Sequence, residues 1–94
     1  MNTYTDSDSA PKPAPRATFQ TIVYTMATQA MIALGEIESP ISHETKVDLR
    51  QAKYLIDSLQ VLLDKTKGNL DETERGALIN ILAEVQMKFV EKND

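Results

Sequence analysis

The densest chemistry in the sequence is a short run, Lys65, Lys67, Gly68 and Asn69, followed closely by Asp71, Glu72 and Glu74. Two cations, a Gly-Asn bend and a helix start could hold a phosphate or carboxylate, because free amides and the helix dipole both favour an anion. The same residues also have an ordinary reading. Lys65 and Lys67 complement the exposed carbonyls at one helix end, Gly68 stops that helix, and Asp71 caps the next. The acids compete for the same amides, and the GxxxxGK[ST] order of a P-loop is absent.

Other chemistry is thinly supplied. A metal site needs several converging His, Cys or carboxylate ligands, whereas the chain has one histidine, His43, and no cysteine. His43 reads as a solvated loop residue, and without a second imidazole or a GxSxG elbow no serine or threonine gains a base. Paired carboxylates for acid–base work need burial, whereas Asp57, Asp64, Glu72 and Glu84 fall on polar helix faces or helix starts. The expectation is a protein that is not an enzyme and has no catalytic residues, metal or cofactor.

The 94 residues must supply the elements that position these groups, and the 23 Ile, Leu, Val and Phe residues all lie after position 17. Residues 1–17 are polar, with Pro11, Pro13 and Pro15 favouring an extended stretch. The expectation is a disordered Pro/Ser-rich tail at 1–17 and a single helical domain at 18–94. A net charge of −4 argues against nucleic acid as a partner. No apolar leader follows an early positive charge, so the expected location is the cytoplasm.

Helix 1 is expected over about 18–34, with Phe19, Ile22, Val23, Met26, Ala27, Ala30, Ala33 and Leu34 facing the core and Gly35 as its stop. From Ala17 to Gly35 there is no charged residue. A solvated helix normally shows charge on its outer face, and the threonines make this segment too polar to span a membrane. Thr18, Thr21, Thr25 and Thr28 form a second stripe leading to Ile32, so both faces are expected to be covered by protein.

Residues 36–47 read as a connection, with Ile37, Ile41 and Val47 expected against the core. Helix 2 is expected over about 48–67, opened by a capping box of Asp48 and Gln51. Its buried stripe is Leu49, Ala52, Leu55, Ile56, Leu59, Leu62 and Leu63. Helix 3 is expected over about 71–91, capped by Asp71 with Glu74 and facing the core through Leu78, Ile81, Leu82, Val85, Phe89 and Val90. Gly76 lies in its first turns, marking either close backbone approach or fraying.

Gln29 to Ile37 with Pro40, then Asp48, Leu49, Ala52, Lys53, Ile56, Asp57 and Leu59, and lastly Lys65-Thr66-Lys67-Gly68-Asn69-Leu70 with Glu74 form ordered blocks. Together they resemble the bacterial domain of unknown function numbered 1844 over roughly residues 18–91. The chain departs from that pattern at Asp64, where glutamate is common, and at Gln86, where arginine is common. The resemblance implies a small bacterial helical protein with no activity attached.

These readings combine into an all-α, three-helix domain. Such a domain has a marginal core, and pairing of chains is a common remedy. The expectation is a homodimeric bundle, a non-catalytic interaction or structural module with an unidentified protein partner. Its interface is placed on Thr21, Tyr24, Thr25, Thr28, Met31 and Ile32. Tyr54 is a further candidate, because tyrosine beside an apolar face suits interfaces. The alternative is a small-anion or nucleotide sensor using Lys65, Lys67, Gly68 and Asn69.

Overall fold

Thr18 begins the first helix because its hydroxyl accepts from the backbone N–H of Thr21 at 3.0 Å while its own backbone is extended. In the computed structural model, which describes Ala14 and residues 16–93, that helix is α1, Phe19–Ala33. The expectation of a tail at 1–17 lies outside the described residues for 1–13 and Pro15. α1 ends where Gly35 takes a φ of 77°, with the Gly35 N–H donating to Ile32 and the Glu36 N–H to Met31. This is the paired-bond stop that glycine's positive φ allows.

α2, Leu49–Lys65, opens on Asp48, whose carboxylate accepts from the Gln51 N–H at 3.1 Å. Only half of the expected capping box forms. The Asp48 N–H donates instead to the carbonyl of Ala33 at 2.7 Å, which fastens the start of α2 to the end of α1. α2 ends at Thr66, and Gly68, with a φ of 87°, sits one residue further out than the expected stop, inside a turn closed by Asn69 N–H to Thr66 O. α3, Glu72–Asn93, starts on a complete capping box. Glu74 N–H donates to Asp71 at 2.7 Å and Asp71 N–H donates to Glu74 at 3.0 Å.

Each helix packs against the other two. The core joins Val23, Ala30 and Leu34 of the α1 segment to Ala52, Leu55, Ile56 and Leu59 of α2 and Leu78, Leu82 and Val85 of α3. Two stripe assignments fail at their edges: Ile22 is 51% exposed and Val90 is 67% exposed. Each lies just outside the arc that its two neighbouring helices cover.

The connection also departs from expectation. Ile37, Ile41 and Val47 are exposed rather than set against the core, and Ile41 is 90% exposed. Ser39 explains this locally. Its hydroxyl accepts from Ile41 and Ser42 N–H, its carbonyl accepts from His43 N–H, and its own N–H donates to Glu44 O. A turn that satisfies its own polar groups can stand away from the bundle.

One ion cluster ties the α1 end to the α3 end. Lys92 lies 3.2 Å and Lys88 3.6 Å from the Glu36 carboxylate. The hydrogen bond from Lys92, helped by the charges of both lysines, holds the Glu36 carboxyl below its ordinary value of 4.5. A carboxyl depressed in the folded state stabilises the fold above its unfolded pKa, and that contribution disappears as pH falls through the folded value. Glu36→Gln should therefore lower the urea midpoint at neutral pH and leave it equal to that of the parent in strong acid. An unchanged midpoint at neutral pH would show that the cluster is inert.

Candidate functional site

Three places combine exposure with a defined shape. The first is the outward face of α1. With Val23, Ala30 and Ala33 buried, helical geometry turns Thr21, Ile22, Tyr24, Thr25, Thr28, Gln29 and Ile32 toward the outside. Tyr24 is 53% exposed, Thr25 and Thr28 are exposed, and Thr21, Met31 and Ile32 are half-buried. Two of these threonines donate locally: Thr25 to the carbonyl of Thr21 at 2.8 Å, and Thr21 to the carbonyl of Arg16 at 2.9 Å. The hydroxyl protons of Thr21 and Thr25 therefore need no outside acceptor, and the face offers methyl groups and apolar surface without one charge.

The second place is a groove of about 780 Å³ between the α1 end, the connection and the α2 start. Ile32, Pro40, Ile41, Val47, Leu49 and Leu55 supply apolar lining, and Glu44, Lys46, Asp48 and Arg50 its charged parts. Sequence periodicity gives no hint of it, because the turn around Ser39 creates it. Ile32 belongs to both the groove and the α1 face, so the two surfaces are continuous.

The third place is the turn between α2 and α3, where a hollow of about 220 Å³ is lined by Leu63, Asp64, Thr66, Lys67, Gly68, Leu70 and Arg75. Of the four residues expected at an anion site, the structure brings Lys67 and Gly68 to this hollow, whereas Lys65 and Asn69 are not among its lining. Arg75 joins them from the first turn of α3, a proximity that only the folded turn produces. The Asp71 and Glu74 side chains already bond the amides that an anion would use. Tyr54 lies elsewhere, exposed on α2.

Among the described residues no helix is long and apolar enough to cross a membrane. A family model described as a domain of unknown function, DUF1844, matches residues 16–91. No curated protein and no solved structure matches the chain.

Proposed function

The chain belongs to the DUF1844 family, with all three helices inside or almost wholly inside the matched stretch, and from that premise we propose a non-catalytic interaction or structural module. It works as a homo-oligomer in the cytoplasm, built on a dimer in which the outward α1 faces meet. The observation that carries this reading is the α1 face itself: Ile22 and Tyr24 are more than half exposed, on a helix with no charged residue. Water solvates such a surface poorly, and burial of aliphatic and aromatic area is the main favourable term in association. A second copy is a suitable occupant because its own α1 face is equally free of charge, so pairing strands no ion in a dry contact.

The second reading, a sensor for a small anion or nucleotide, is favoured by the hollow that gathers Lys67, Gly68 and Arg75. One set of variants separates the two. Thr25→Glu places a charge in the middle of the α1 face and is expected to lower the particle mass seen by light scattering. Lys65→Ala with Lys67→Ala is expected to leave that mass unchanged. A mass unaffected by Thr25→Glu contradicts the interface. If phosphate moves the amide signals of Gly68, Asn69 and Leu70 in the parent and not in the double lysine variant, the sensor reading gains the support that the interface loses.

A further inference from the structure

Tyr4, Asp6 and Asp8, followed by prolines at 11, 13 and 15, precede the first helix, and the structure shows how the chain arrives there. It does not run straight off the start of α1. Thr21 Oγ1 donates to the carbonyl of Arg16 at 2.9 Å, which draws the residues before Thr18 back beside the first turn. From that turn, Thr18, Ile22, Gln29 and Ala33 share one edge of α1, since their spacings of four, seven and four residues are whole turns of the helix. Gln29 and Ala33, at the far end of the edge, line the groove of about 780 Å³. Ile22 lies on the way and is half exposed.

The length of chain before α1 suits that path. Between Thr21 and Gln29 the helix rises about 12 Å. An extended proline-rich stretch rises about 3.1 Å per residue, so the five steps from Arg16 back to Pro11 span about 15 Å. Asp8, Asp6 and Tyr4 then come level with the groove.

The lining offers chemistry for these side chains. Lys46 and Arg50 are exposed there, and neither enters an ion pair among the described residues. The positive end of the α2 dipole adds to their attraction for a carboxylate. Of the acids in the lining, Glu44 and Asp48, the second already accepts from the Gln51 N–H. Pro40, Ile41 and Val47 form an apolar wall that suits an aromatic ring.

We propose that residues 4–8 of this chain bind in its own groove, Asp6 and Asp8 against Lys46 and Arg50, and the Tyr4 ring on Pro40, Ile41 and Val47. The prolines carry the segment along the Ile22 edge. Attachment keeps the segment at high effective concentration, so individually weak contacts suffice. Tyr24, Thr25 and Thr28 lie further round α1, so the contact goes beyond the pairing proposed above and does not depend on it.

The test uses the full chain, which has no cysteine, so Ser7→Cys carries a nitroxide at one place between the two aspartates. The methyl signals of Ile41 and Val47 should broaden strongly, while the amides of Gly68 and Asn69, past the far end of α2, keep their linewidths. Lys46→Glu with Arg50→Glu should cut the relaxation enhancement about threefold or more, because like charges then oppose each other. Adding Asp6→Lys with Asp8→Lys to that chain should restore it. Nitroxide-bearing chains refolded together with isotope-labelled chains that lack the cysteine should leave Ile41 of the latter sharp, which separates a contact within one chain from any contact between copies. Broadening in that mixture, no broadening at Ile41 and Val47 in the nitroxide-bearing chain, or an effect undiminished by the charge reversal overturns the proposal.

Discussion

Replacing Leu59 with alanine is expected to lower the stability of the fold by about 3 kcal/mol, the centre of the range for a fully buried leucine. Leu59 has no exposed surface and is among the largest fully enclosed side chains, with Leu34, Leu78, Val23 and Val85. Those residues come from all three helical segments, so the leucine fills the point where the helices converge. The surroundings can close over the lost volume only slightly. α1 is pinned to α2 by the bond from Asp48 N–H to Ala33 O, and α2 is held near α3 by the tight turn at Gly68. Small single-core domains have total stabilities of about 5 kcal/mol or little more, so most of the margin would go. Urea unfolding should show a much lower midpoint with an unchanged slope. Val61→Ala, on the exposed side of the same helix, should change stability by no more than about 0.5 kcal/mol. Similar losses at both positions would contradict the burial described here.

Gly35→Ala is expected to cost about 2 kcal/mol or more, because two penalties coincide. The backbone at Gly35 has a φ of 77°, a left-handed conformation that costs an L-residue about 1–2 kcal/mol. A Cβ there would also lie 2.8 Å from Cγ2 of Val47, next to the backbone of Lys46 and Val47. Relief of that overlap requires Val47 to leave its present rotamer or the segment that delivers Asp48 to Ala33 to shift, and either adds to the conformational cost. The other glycines serve as controls in the same urea series. Gly68→Ala meets open space at a φ of 87° and should cost about 1 kcal/mol for conformation alone. Gly76→Ala, in ordinary helix with open space, should stabilise the chain by up to about 1 kcal/mol. Equal losses at Gly35 and Gly68 would show that the Val47 overlap is relieved without cost.

The parts of this fold legible from sequence are those set by neighbours along the chain. The Asp71 and Glu74 capping box needs only a spacing of three residues, and it forms in full. The buried stripe of α2 reads correctly because strong polar residues fill the opposite side and leave one solution. α1 and α3 are harder, since their apolar residues occupy more of the circumference than two neighbouring helices can cover. Which edge residue is left outside depends on where those neighbours sit, and that decides against Ile22 and Val90. The connection is misread for a related reason. Ile37, Ile41 and Val47 suggest burial, but the hydrogen bonds centred on Ser39 turn the loop outward and create the groove beside Ile32. Arg75 joins Lys67 and Gly68 only through the closed turn, so no periodicity announces it. The Asp48 box fails by half because a long-range acceptor, the Ala33 carbonyl, takes the N–H that the local motif would use.

The central claim is that the charge-free outward face of α1 is covered by a second copy of the chain. Methyl NMR with a soluble paramagnetic agent addresses it most directly, with the highly exposed Ile41 and the buried Ala30 as the two references within one molecule. At high micromolar concentration the methyl signals of Thr25 and Thr28 should be shielded nearly as well as Ala30, with shielding lost on dilution. If Thr25 and Thr28 broaden as strongly as Ile41 at every concentration, the face is open to water and the claim is wrong.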